Sequence, residues 1–285
     1  MPPVPFPLRT HAKRRIVRQV RALFNDQARG EQPVRRSDTA LFRPGSPIWR
    51  VHGDVTAMMV GGVTALLLQM LHPAVLAGVW DHSNFRTDML GRLRRTARFI
   101  AVTTFGDRTD AAAAIARVRE VHGNVAGTLP DGTAYRADDP SLLAWVHVSE
   151  AWSFLAAWQL FGDDPLTPSA QDAYFADFAG VARALGADPV PVDRGGIVDA
   201  LDRRRSELIA NDRTREVARL VLGHMPDNRL AIPIQRMTMQ AAVDLLPDWA
   251  RAMHGLPASS SLVRPMVKGG TLGLARTLRW AFSDR

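Results

Sequence analysis

The sequence predicts an all-α protein, and three observations predict it. No stretch alternates apolar and polar residues with period two for a strand's length. Apolar residues instead recur at steps of three and four along most of the 285 residues. Helix punctuation stands where these periods begin and end: Asp54, Asp139-Pro140 and Thr167-Pro168 at starts, Gly106, Gly162 and Gly186 at stops. At 46% apolar content the length suffices for a large core. The composition does not break near the middle. Residues 1–45 read as a basic, Pro-rich arm with one helix, and 46–285 as a single helical domain.

In the arm, Ile16, Val17, Val20, Leu23 and Phe24 mark a short amphipathic helix, fit to cap the core, lie on a membrane surface or touch a partner. Asp54 N-caps a helix to about Leu71, and His72-Pro73 opens a second through Trp80. His82-Ser83-Asn84 is a loop. Met89 to Phe105 is helical and stops at Gly106. Asp107 or Thr109 caps the next helix, which runs through Val125 to about Gly127. Leu129-Pro130-Asp131-Gly132 is a turn. Asp139-Pro140 opens a long helix through Trp145, Trp152, Leu155 and Trp158 to Phe161, and Thr167-Pro168 one through Tyr174 and Phe178 to Leu185. Further helical periods cover Ile197 to Ile209, Arg213 to Leu222, Ile234 to Leu245, a short piece near Met253, and Leu262 to Trp280. About ten helices are expected.

Composition narrows the function classes. With no cysteine there are no disulfides, iron–sulfur clusters, thiolate metal sites or covalent c-type haem. The N-terminus lacks the apolar core of a signal peptide. Val55 to Trp80 carries no charge, but His72-Pro73 interrupts it, which favours core helices over a membrane span. The net charge of +8 favours polyanions or anionic lipid surfaces, yet no second helix before Pro44 completes a helix-turn-helix, so nucleic acid is not expected. No zincin pair, Glu-x-x-His bundle motif, P-loop, dinucleotide fingerprint or nucleophile elbow occurs.

An apolar helical pocket with histidines and arginines remains. On one helix Arg92, Thr96, Phe99 and Thr103 share a face; on the next, Ile115, Val118, His122 and Val125 share another. An imidazole and a guanidinium then enter common apolar space. Haem asks for this pair: an axial nitrogen for iron, and cationic and hydroxyl donors for propionates. A histidine on an apolar stripe is more often a core residue bonded to a backbone carbonyl, and His72, His82 and His147 are rival candidates.

Several short motifs stand in a familiar order: Trp49-Arg-Val-His-Gly-Asp54, Gly61-Gly62, Leu66 to Pro73, Gly78 with His82-Ser83, Gly91-Arg92-x-x-Arg95-Thr96, Val121-His122-x-x-Val125, and Asp139-Pro-x-Leu-Leu-x-Trp145-Val-His147. Over residues 45 to 255 the chain resembles the family of the rubber oxygenases (latex clearing proteins) and the MpaB-type oxygenases. The resemblance implies a globin-like helical core with flanking helices, a non-covalent haem b, and oxygenase chemistry that splits carbon–carbon double bonds of isoprenoid chains with O2. It implies His122 as the axial iron ligand, with Arg92 and Thr96 in the haem pocket. Arg95 stands where the rubber oxygenases have a lysine near the distal face. A guanidinium stays protonated, so iron ligation by Arg95 is not expected. The distal glutamate of the rubber oxygenases has no match, which leaves Arg95 with His82 or His72 to polarise oxygen. The expectation is a cytoplasmic haem b oxygenase with an apolar, unsaturated small substrate and O2. Peripheral membrane contact is compatible with it, and the oligomeric state stays open. The alternative is a non-catalytic haem- or lipid-binding or sensing protein.

Overall fold

Asp54 introduces the helix around which the others pack. In this computed structural model, which describes residues 6–25, 30–224 and 228–283, its carboxylate accepts from Ala57 N at 2.8 Å and caps α3 (Val55–Gln69). Before α3 come α1 (Phe6–Phe24) and α2 (Pro47–Gly53). After it come α4 (Pro73–His82), α5 (Met89–Phe105), α6 (Arg108–Gly123), α7 (Pro140–Phe161), α8 (Pro168–Leu185), α9 (Arg194–Arg203), α10 (Asp212–Gly223), α11 (Ile232–Leu245), α12 (Asp248–His254) and α13 (Val263–Phe282). The fold is all-α, as expected. The described residues hold more helices than the expected ten; one that was not expected is α2, which meets α3 at 86° just before the Asp54 cap. A small hairpin, β1 (Ala126–Thr128) with β2 (Ala134–Arg136), is the one sheet among the described residues. Helix had been expected there up to Gly127. The turn signal wins: Leu129 N donates to Thr133 O at 2.8 Å, and Gly132 takes φ 89°.

The centre is the contact of α3 with α7. Both are apolar nearly all round, as fully enclosed helices must be. Gly61 lets them approach: a Cβ there would lie 2.9 Å from Phe154 Cα and Ser153 O. Thr64 Oγ1 donates to Val60 O and, across the interface with α11, lies 3.0 Å from Ala242 O. His254 Nε2 meets Leu67 O at 2.9 Å. Arg279 on α13 donates to Asp54 Oδ2 at 2.7 Å and to Phe161 O, tying the last helix to the start of α3 and the end of α7. No single helix among the described residues is long and apolar enough to cross a membrane, and most of α3 is core.

α5 and α6 form a helical hairpin. They pack on each other, α5 also on α1 and α2, and α6 on α8; neither packs closely along α7. Trp49 on α2 meets Phe105 edge-on at 5.1 Å, which anchors the far end of α5.

Candidate functional site

At its other end the hairpin brings Arg92, near the start of α5, to His122, near the end of α6. Asp88 caps α5 by accepting from Gly91 N at 2.8 Å, so Arg92 lies in the first turn. The β-hairpin fixes the end of α6: Ala137 N donates to Val125 O at 2.9 Å, and Val125 N to His122 O at 3.0 Å. It also sets Asp138 beside His122, with the Asp138 carboxylate gripped bidentately by Arg136 at 2.9 Å on each oxygen.

His122 is half-buried, and its Nδ1 is covered by protein with no hydrogen-bond partner. Burial holds its pKa below the usual histidine value; Asp138 pulls upward, and the Arg92 charge adds to the depression. The imidazole is therefore neutral near pH 7 and keeps a free lone pair. Burial also lowers the pKa of Arg92, with the neighbouring Arg95 charge adding to it, and no carboxylate among the described residues pairs with Arg92. A desolvated cation without a counter-ion is costly unless an anion joins it.

The other expected residues have partners of their own. Thr96 is exposed and donates to Arg92 O at 3.3 Å, one turn back. Arg95 is exposed and turns to Asp88 at 3.4 Å and Asn84 at 3.3 Å. His72 caps α4 through Nδ1, which accepts from Ala74 N at 3.3 Å, while its Nε2 faces Glu207 at 3.5 Å. His82 is exposed, with its ring edge-on to Tyr135. As placed, the structure brings Arg92 and His122 together and leaves Arg95, His72 and His82 with other partners.

Several apolar side chains of the neighbouring helices are only partly covered: Val75 and Val79 on α4, Phe99 on α5, Val118 on α6, and Leu142 and Val146 on α7. Leu142, Val146 and Glu150 lie one turn apart, forming the incompletely covered stripe in the first half of α7. An apolar groove of about 760 Å³ on α6, shared with α8 and lined by Phe42, Ile115 and Val181 among others, holds none of the candidate residues.

Sequence reasoning missed a polar network behind that stripe. His52 Nδ1 lies 2.8 Å from Thr104 Oγ1, and its Nε2 lies 3.4 Å from Tyr174 Oη. Burial pushes His52 down to about 3, helped by His147, which burial itself holds at about 4. Burial also raises Tyr174, helped by the nearby Glu150 charge. Glu150 is pushed up to about 7 by burial, against a hydrogen bond from the Gln69 side chain. The missed signal was plain in composition: Glu150 is the single charged residue in the 22 residues of α7.

The family model of the catalytic domain described as ER-bound oxygenase mpaB/B'/Rubber oxygenase matches residues 49–280. The chain belongs to this family. The match extends past the residues that first suggested it, through α13. Neither a curated protein nor a solved structure matches the chain. Within the family's domain lie both members of the His122–Arg92 pair and the whole Glu150 network.

Proposed function

We propose that this oxygenase-family chain uses haem b, bound through His122, to attack an apolar, unsaturated small substrate of isoprenoid type, with oxidative cleavage of a carbon–carbon double bond as the favoured reaction. The observation that supports it best is the unpaired, desolvated Arg92 beside a neutral imidazole whose Nδ1 has no partner. A haem propionate would supply the anion that Arg92 lacks, through charge-assisted hydrogen bonds. The single histidine suffices for a porphyrin iron, because the macrocycle brings four nitrogens of its own. Iron held by side chains alone has no site of that kind: no three His, Asp or Glu converge among the described residues.

Haem b bound there supplies oxygen activation at its iron. The protein's own contributions follow from the geometry. Asp138, beside the neutral His122 ring, favours electron donation from it. Phe99, Val118, Leu142 and Val146 exclude water and accept the substrate's hydrocarbon. Glu150, with a pKa near neutrality, holds or releases a proton at its carboxyl oxygen on the inner wall. Both oxygen atoms end in the two carbonyl products, so the overall balance draws on no external reductant. Arg95, turned toward Asp88, contributes positive potential at the rim and no lone pair.

The test is a pyridine haemochrome assay on protein expressed with a haem precursor, followed by oxygen uptake with polyisoprenoid alkenes. Stoichiometric b-type haem with alkene-dependent oxygen consumption is expected. A folded, haem-free protein overturns the reading. Haem without turnover across an alkene series points to the carrier or sensor instead.

A further inference from the structure

The last helix carries a feature that the oxygenase reading does not use. From Ser260 to Gly270, which includes the first two turns of α13, Val267 alone is partly covered, and every other residue is exposed. Leu262 is 83% exposed, Met266 74% and Val263 45%. At steps of three and four these three share one face. Large apolar side chains this exposed, adjacent on one helical face, lose free energy to water unless something covers them. Arg264 and Lys268 flank the face, four residues apart.

The charge around this face has one sign. The sequence has no acidic residue between Asp248 and Asp284, and none in α1, which packs along α13 and presents exposed Arg14, Arg15 and Arg18. Asp244, which meets the chain just before α13, is turned inward. Its Oδ1 accepts from Ser259 N at 2.8 Å and Gln240 Nε2 at 3.1 Å, and its Oδ2 is buried. It does not neutralise Arg264 or Lys268 at the surface.

We propose that the exposed start of α13 docks on an anionic phospholipid bilayer, with Leu262, Val263 and Met266 entering the headgroup–acyl boundary and Arg264 and Lys268 binding lipid phosphates. Bare cations among exposed apolar side chains suit an interface that is charged outside and hydrocarbon inside. Nucleic acid would repay the cations but leave Leu262 and Met266 in water. The surface lies on α13, away from His122, and does not depend on the haem reading.

The experiment is co-sedimentation of the full-length protein with phosphatidylcholine vesicles, with and without about a third phosphatidylglycerol. Binding should rise at least tenfold with phosphatidylglycerol. Leu262→Ser with Met266→Ser, and separately Arg264→Gln with Lys268→Gln, should each reduce it about tenfold. All four side chains are solvent-exposed, so the variants should keep the parent's helical spectrum and melting temperature. Residual binding of the apolar double variant should fall more steeply with added salt than the parent's, because only the cationic half of the contact remains. No sedimentation with anionic vesicles overturns the proposal, as does sedimentation that neither double variant weakens. A dimer in solution dissolved by Leu262→Ser with Met266→Ser assigns the face to a second copy of the chain and overturns it too. So does duplex DNA binding that outcompetes vesicles.

Discussion

Where α3 crosses α7, backbone meets backbone at Gly61, Leu67 and Leu68 are fully covered, and the Thr64 hydroxyl has its partners. On α6, Ala111 is the one fully buried residue, and Ile115, Val118 and His122 are covered only in part. Hydrogen bonding does not separate the two: His254 at the α3 end uses Nε2 on Leu67 O, but its Nδ1, like that of His122, is covered without a partner. Packing closes the first region, although the buried hydroxyls of Thr56 and Ser153 also lack partners there. The second is built by the same chain to equally regular helical geometry, yet its side chains are only partly covered and the Arg92 cation has no carboxylate partner among the described residues. A partly desolvated cation without a counter-ion is what supports the proposed anionic ligand there.

The comparison breaks most visibly at its sealed half. Phe154→Ala should cost about 3–5 kcal/mol of stability, because Phe154 is buried against Gly61 and His52 and the close contact of α3 with α7 cannot collapse around the hole. Thermal or urea denaturation of the purified variant reads this directly. A loss below about 1 kcal/mol would mean that the α3–α7 contact is looser than described.

His122→Ala tests the open half with the opposite pattern. The apo-protein should lose no more than about 1 kcal/mol, since the ring is half-buried and gives up no hydrogen bond at Nδ1. Haem retention, by contrast, should fall at least tenfold, and added imidazole should restore part of the axial spectrum. His147→Ala should keep its haem. Intact haem in His122→Ala would move the axial role to another histidine.

Much of this division was legible in the sequence, and the reasons are physical. Asp54, Asp139-Pro140 and Thr167-Pro168 cap helices locally, so the residues that encode the starts sit at the starts. Arg92 and His122 were legible because steps of three and four place them on inward faces of adjacent helices. The polar network was not. His52 on α2, Thr104 on α5, Tyr174 on α8 and Glu150 on α7 come from four helices, and no local spacing reports contacts made across a core. The placement of Thr96 was legible only in part. Its step from Arg92 is right, but the hydroxyl satisfies itself on the carbonyl one turn back, as threonines in helices often do.

The network makes a prediction about pH. His52 at about 3 and His147 at about 4 lie below the ordinary 6.5, so the unfolded chain takes up protons first. Their contribution to stability is complete above 6.5 and is lost as the pH falls toward 3. Glu150 at about 7 lies above its ordinary 4.5 and has the opposite sense. Its contribution is complete below 4.5 and is lost as the pH rises through 7. Between pH 4.5 and 6.5 Glu150 therefore offsets about one of the histidine protons. In Glu150→Gln that offset disappears, and stability should fall more steeply on acidification in this window, by about one further proton, or roughly 1 kcal/mol, per pH unit. Urea titrations at a series of pH values measure the slope, and parallel slopes for parent and variant would show that Glu150 does not titrate in the interior.

The smallest effect is expected at Arg95, and its smallness is informative. Arg95 sits one turn after Arg92 on α5, close enough for its charge to act on Arg92. A role at the iron would require it to turn inward and offer a lone pair. It does neither: the side chain is exposed, it faces Asp88 and Asn84, and a guanidinium is a hydrogen-bond donor with no acceptor lone pair to offer. Exposed ion pairs of this geometry contribute little, so Arg95→Ala should change stability by no more than about 0.5 kcal/mol. The axial signature of the ferric protein in paramagnetic resonance should match the parent's. Arg92→Ala, made in parallel, should lose haem affinity, because it removes the half-buried, unpaired cation rather than the rim charge. If Arg95→Ala instead altered the axial signature while Arg92→Ala left haem binding intact, the two arginines would have exchanged roles, and the inward face of α5 would have to be redrawn around the exposed one.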